Sequence, residues 1–378
     1  MISFFTADEH AFFVSPDDPD ERADAERETF AAARRAGADA RTRLELALVV
    51  LLVAVAVSYR QVCLAYPTGG GSYSVSKRNF GRLPSLIAAS ALLIDYVMTV
   101  AVSTSSAVEQ ITSAVPELFD ERVLIGVAAI ALITIGNLRG IREAGNIFAV
   151  PTYLFVGSAL LMIAIGTFRI VVGGDHPGFP PDVAERAGGT LESVSLLLIL
   201  RAFAGGAVAL TGTEAIATGV PAFQPPEAKN AAQTLAIMAA LLGILFIGIT
   251  FLAVNFGIPP LAEPVKQTVI AQVAAHVYGS GSIPFFLFQA FTALLLFLAA
   301  NTSFNAFPRL LAILAGDGFM PRQFALRGDR LAFSWGIIAL ATVAASLIVA
   351  FRGETHLLIP LYAVGVFIDF TISQAGMI

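Results

Sequence analysis

The chain has 378 residues, of which 56% are hydrophobic and only 13% charged, with a net charge of −5 and a mean hydropathy of +0.77. A soluble domain carries about a quarter charged residues, so this composition excludes a water-facing globule, and the negative balance gives nucleic acid no footing. The lone cysteine, Cys63, excludes an intramolecular disulfide framework and a cysteine-based zinc cluster.

In chain order, residues 1–43 come first. The run "PDDPDERADAERETFAAARRAGADARTR" is polar and rich in Ala, Glu and Arg. It reads as a solvated helix or a disordered tail that does not span a membrane, and it lacks the basic-then-apolar pattern of a signal peptide. Residues 44–378 read as a transmembrane domain of an all-α polytopic protein. A bilayer-length window gives nine candidate spans, near 44–60, 86–108, 123–137, 146–172, 194–222, 231–256, 283–304, 332–351 and 356–376. The first and third are short for a hydrocarbon core of ~30 Å.

The loops alternate in charge. Segment 60–85 carries Arg60, Lys77, Arg78 and Arg82 with no acid; 138–145 has Arg139 and Arg142; 305–331 has Arg309, Arg322, Arg327 and Arg330. By contrast, 109–122 holds Glu109, Glu117, Asp120 and Glu121 against one arginine, and 173–193 is mostly acidic. The positive-inside rule puts the basic loops in the cytoplasm of a plasma (inner) membrane protein. Residues 1–43 would then start outside, which Arg34, Arg35, Arg41 and Arg43 oppose.

Within the second span, Asp95, Thr99 and Ser103 recur every four residues. A helix sets three such side chains along one stripe. An ionisable group inside an apolar segment is expensive, and its first reading is functional. The span at 194–222 is too long for one ordinary crossing and is interrupted by Gly205, Gly206, Gly212 and Gly219. That pattern suits two half-helices joined by unwound backbone, the geometry transporters use at the bilayer midplane, with Thr211 and Glu214 at the break. A Gly-rich helix packed tightly on its neighbours is the competing reading.

Three other stretches stand out. "PTGGGSY", residues 67–73, lacks Walker spacing and its lysine, and reads as a cytoplasmic re-entry or gate-side turn. Residues 299–324 read as a span continuing past a bend at Pro308 into a basic interfacial helix. In the last span, Tyr362 between Pro360 and Gly365 either closes over a cavity or sits in an interfacial aromatic belt; Asp369 is a further intramembrane acid without an assigned role. The four histidines, His10, His176, His276 and His356, show no metal spacing, so no resident metal or cofactor is expected.

The segments "YRQVCLAYPTGGGSYSVSKRNFG", "LLIDYVMTVAVSTSSAVEQITSA", "LTGTEAIATGVPAFQPPEAKNAA" and "NTSFNAFPRLLAILAGDGFMPRQFALRGDR" together resemble the amino acid–polyamine–organocation (APC) permease superfamily. Within it they look most like KimA-type potassium importers of the KUP family. The resemblance covers residues 44–378 and implies the inverted-repeat (LeuT-like) fold, with helices 1 and 6 broken around a central site. Carried over, the ion site falls on Asp95, Thr99 and Ser103 of family helix 3, Thr211 and Glu214 of helix 6 and Tyr362 of helix 10. Helix 1, helices 11 and 12 and a cytoplasmic C-terminal region have no counterpart here, so the fold is expected to be incomplete, with the chain truncated at both ends. A missing helix 1 also removes one crossing, which accounts for the conflict over residues 1–43.

The expected function is secondary transport, proton-coupled potassium uptake, rather than enzymatic chemistry. Oxygens of Asp95, Thr99, Ser103, Thr211 and Tyr362 would replace part of the cation's hydration shell, and Glu214 would carry the proton. The alternatives are an amino acid permease, whose substrate carboxylate would sit on half-helix N-termini, and an inactive transporter fragment. The expected partners are K+ or an amino acid, protons and the lipid bilayer, with a homodimer left open.

Overall fold

The computed structural model describes residues 47–67, 71–139, 145–175, 177, 200, 203–206, 208, 211–258, 267–326 and 333–376, and among these there is no strand. Residues 1–43 and the loop arginines Arg142, Arg327 and Arg330 lie outside the described residues. The helices in chain order are α1 (Ala47–Ala65), α2 (Gly71–Asn79), α3 (Arg82–Ala114), α4 (Arg122–Leu138), α5 (Gly145–Val171), α6 (Thr213–Thr218), α7 (Glu227–Asn255), α8 (Val269–Tyr278), α9 (Ile283–Gly316), α10 (Ser334–Ala350) and α11 (Thr355–Ala375).

Six of these, α1, α3, α5, α7, α9 and α11, are long and apolar enough to cross a membrane, whereas α4, α8 and α10 are shorter apolar helices. The expected count of nine spans therefore divides differently. Spans 123–137 and 332–351 become the 17-residue helices α4 and α10. Span 194–222 is described only in part. Helix α8 falls in a region read as a loop, because its 10 residues are too few for a bilayer-length window. Local signals nonetheless bound it: the Thr268 hydroxyl accepts from the Ala271 N–H at 3.2 Å, and Gly279 follows the last turn with φ 90°, where L-residues are strained.

The separate interfacial helix expected after Pro308 does not form. Helix α9 runs unbroken for 34 residues. Phe304, Phe307, Leu310, Leu311 and Leu314 are all buried in the main core, so the segment packs inward instead of lying on the surface. Pro308 is accommodated because residue 336 is glycine: a Cβ there would lie 2.8 Å from Pro308 Cβ and 2.9 Å from its Cα.

Two apolar cores organise the bundle. The larger joins α1, α2, α3, α9, α10 and α11 around Tyr59, Leu92, Met98, Phe304, Leu340 and Tyr362. The smaller joins α5, α7, α8 and the start of α9 around Met162, Leu252, Val273 and Phe288. The longest helices, α3 and α9, pack against each other. On α11 the buried positions Leu358, Tyr362, Gly365, Val366, Asp369, Phe370 and Ser373 repeat with helical period, which turns a single stripe inward. That stripe sets the position of the site.

Candidate functional site

Two polar clusters lie along the inner stripe of α11. The first is built on Tyr362, which is 3% exposed. Its hydroxyl lies 2.6 Å from Thr99 Oγ1 on α3. The same hydroxyl lies beside the Asp95 carboxyl and the Thr211 hydroxyl. The Asp95 Oδ1 atom is buried and has no hydrogen-bond partner among the described residues. Asp95 and Thr99 share a face of α3 because they are one turn apart. Ser103 continues that face, half-buried, one turn beyond the Thr99–Tyr362 hydrogen bond. The cluster thus brings together Asp95, Thr99, Thr211 and Tyr362, with Ser103 one turn further along.

The chain leaves helical conformation at Thr211 and Gly212, between the helical residues 203–206 and α6. Gly212 has φ +92°, a left-handed value that a side chain would resist. The other three glycines behave otherwise. Gly205 and Gly206 lie within the helical stretch, and a Cβ on Gly206 would meet the end of the Leu48 side chain of α1 at 2.7 Å, so a larger residue there would make that side chain shift. Gly219 has φ −91° and precedes a 3-10 turn at Val220–Ala222.

Glu214, in the first turn of α6, turns to the second cluster. Its Oε1 accepts from the Ser72 hydroxyl at 2.6 Å and from the Ser72 N–H at 3.1 Å. Ser72 Oγ also lies 3.0 Å from Asp369 Oδ2. Seven residues of α11 separate Tyr362 from Asp369, which places the two clusters on one face about 10 Å apart. Ser72 stands at the end of the "PTGGGSY" stretch, whose last three residues, 71–73, open α2; residues 68–70, where the turn was expected, lie outside the described residues. Ser72, Tyr73, Val75 and Ser76 are buried. The Tyr59 hydroxyl lies beside Ser72, Glu214 and Asp369. Ser72 and Tyr59 are site residues that no local pattern singles out; Asp369 carried a signal, its carboxyl inside an apolar run, but no partner.

The two ends of the bundle are tied by separate polar contacts. At the end read as cytoplasmic, Lys77 Nζ lies 2.6 Å from Asp317 Oδ2, and the Tyr73 hydroxyl donates to the same oxygen at 2.5 Å. The bonds from Lys77 and Tyr73 hold the Asp317 carboxyl below the usual carboxylate range. At the opposite end, Arg122 pairs with Glu354 at 3.2 Å, and the Glu109 carboxylate accepts from the Thr355 N–H at 3.2 Å, an anion at the start of α11 where the helix dipole favours one. Asp175 also lies on that side, bonded to Arg169 at 2.6 Å and to His276 at 3.3 Å. Burial would raise its carboxyl, but His276 and Arg169 outweigh it and hold it low. Contacts therefore join the basic segments 60–85 and 305–331 at one end, and at the other join segment 109–122 to the start of α11 and the end of α5 to α8. No group of His, Cys, Asp and Glu suited to a metal ion occurs among the described residues.

Chemically, the first cluster offers hydroxyl and carboxyl oxygens around one buried carboxyl atom that, among the described residues, has no hydrogen-bond partner and no cationic side chain paired with it. Comparison with known proteins agrees with a role in the membrane. The family model for amino acid permeases matches residues 29–378. The potassium transporter KimA of Bacillus subtilis (strain 168) is 49% identical over 322 residues, covering 85% of this chain and 52% of the relative. The chain thus spans about half the length of the curated relative it matches. With six helices among the described residues long and apolar enough to cross a bilayer, it is a multi-pass plasma-membrane protein, and these likenesses point away from enzymatic chemistry.

Proposed function

This chain belongs to the amino acid permease family, and we propose that it acts as a secondary transporter that takes up K+ together with protons, as a member of the KimA-type importers of the KUP family. The observation that carries this reading is the convergence of Asp95, Thr99, Thr211 and Tyr362 around one buried carboxyl atom that no cationic side chain among the described residues pairs with. A buried carboxylate needs a countercharge. Hydroxyl and carboxyl oxygens suit a weakly hydrated monovalent cation, which exchanges hydration water for such ligands. Unwound backbone at Thr211 and Gly212 would add carbonyl oxygens, and Ser103 would offer a further hydroxyl on the path along α3. Glu214 carries the proton in this scheme. Rocking of one group of helices against another alternates access to the site. The 49% identity to a potassium transporter supports the choice of ion.

The test is rubidium uptake into proteoliposomes containing this chain, with Asp95→Asn and Glu214→Gln beside it. The expected result is loss of uptake in the first and loss of its pH dependence in the second. Unchanged uptake and pH dependence in both would refute the site. An amino acid permease is the second reading, favoured by the description of the matched family; uptake of labelled amino acids that rubidium does not inhibit would establish it instead.

A further inference from the structure

The Glu214–Ser72–Asp369 bridge is one hydrogen short. A serine hydroxyl has a single hydrogen to donate, and Ser72 Oγ faces Glu214 Oε1 at 2.6 Å and Asp369 Oδ2 at 3.0 Å. With both carboxyl groups ionised, one of these contacts would set two oxygen lone pairs against each other. Glu214 is 5% exposed and Asp369 1%, and the two carboxyls also face each other. Among the described residues, no lysine, arginine or histidine pairs with either. Two anions this close and this far from water cannot both persist without a countercharge.

A second observation points into the same space. The Tyr59 hydroxyl, Asp369 Oδ1 and Ser373 Oγ are buried atoms without a hydrogen-bond partner among the described residues, and Tyr59 and Ser373 are 0% exposed. The Tyr59 hydroxyl faces Glu214 and Asp369 and lies next to Ser72 and Ser373. Buried polar atoms in native proteins are nearly always satisfied, so three orphans converging on a carboxyl pair outline an incomplete coordination shell. Its walls come from four elements: Tyr59 of α1, Ser72 of α2, Glu214 of α6, and Asp369 and Ser373 of α11.

We propose that Tyr59, Ser72, Glu214, Asp369 and Ser373 form a second site that holds one unit of positive charge, a proton or an alkali cation, on the α2 side of the Asp95–Tyr362 cluster. The two sources share the same chemistry. A proton completes the missing hydrogen of the bridge. An alkali ion takes oxygens from both carboxyls, the tyrosine and the serines. Among the described residues, Asp95 is a further acid that faces Asp369. The proposal adds Asp369 to the Glu214 role given above and so rests in part on that reading, but it is measured without transport.

The chain is purified in detergent, and two quantities are compared between wild type and Asp369→Asn at neutral pH: rubidium bound per chain at equilibrium, and the infrared band of protonated carboxyl groups. If the site holds a proton, Asp369→Asn weakens the protonated-carboxyl band and leaves rubidium stoichiometry unchanged. If it holds an alkali ion, the variant binds one rubidium fewer. A variant that changes neither overturns the proposal. Ser72→Ala keeps both carboxyls and guards against a folding failure of Asp369→Asn; it should shift the same signal, and an unshifted signal would also overturn the proposal. Absent rubidium uptake with the Asp369 signal intact would instead remove the transport reading alone.

Discussion

Removing one oxygen atom from Tyr362 isolates the contribution of the first cluster. Tyr362→Phe keeps the ring, which is 3% exposed and packed in the main core, and deletes the hydroxyl 2.6 Å from Thr99 and beside Asp95 and Thr211. A neutral hydrogen bond contributes about 0.5–1.5 kcal/mol net, and one to a charged group about 1.5–3 kcal/mol. The contact with Asp95 is of the second kind whenever that carboxyl is ionised, as it is with a bound cation. The expected loss of cation affinity is therefore about 1.5–3 kcal/mol, or ~10- to 150-fold at tenfold per 1.4 kcal/mol. The assay is concentration-dependent rubidium binding to the purified chain, with thermal melting in detergent as a companion. Affinity within threefold of wild type, at an unchanged melting point, would refute the assignment of this hydroxyl to the site. A collapse of melting would mean that the hydroxyl serves the fold.

Other expectations follow from single contacts. Gly336→Ala sets a methyl 2.8–2.9 Å from the Cβ and Cα of Pro308, where neither ring nor backbone yields easily, so melting should fall by an overpacking cost of about 1–3 kcal/mol. Gly212→Ala meets no atom within 4 Å but must adopt φ +92°, which costs about 1–2 kcal/mol; Gly212→Asn should be milder, and equal effects of the two would contradict the conformational origin. Asp317 has a folded-state value below its unfolded one, so its contribution is present above about pH 4 and declines as pH falls through the depressed value. Melting curves of wild type and Asp317→Asn should accordingly differ at pH 7 and converge in acid. Because the Lys77 partner is exposed, salt should shrink the difference at pH 7.

Legibility in the sequence followed the range of the forces involved. Asp95 and Thr99 could be chosen because both the period and the cost of burying an acid are local properties of one helix. Tyr362 could be named but left between cavity and aromatic belt, since only the packing of α11 on α3 turns it inward. Ser72 was hidden for a different reason. Helix α2 has nine residues, three of them serine, and so carries no apolar period; it is buried by contacts with α6 and α11 that no local pattern announces. Pro308 misled about where the helix gives way to a separate one, because the absent side chain that accommodates it belongs to residue 336. Asp369 was conspicuous and mute, as its meaning depends on a glutamate far away in the chain.

The unequal lengths of the helices bear on the choice of lipid. At 1.5 Å per residue, the 33 residues of α3 and 34 of α9 reach about 50 Å, well beyond a hydrocarbon core of ~30 Å. The 17 residues each of α4 and α10 reach only about 25 Å, and these two short helices pack against each other. Acyl chains of different length would therefore be felt unevenly around the molecule. The central pair adjusts by tilt or by standing clear of the bilayer, while the flank built from α4 and α10 must draw the membrane thin. A thickening bilayer thus loads one side of the protein, the side joined to α11 through Arg122 and Glu354.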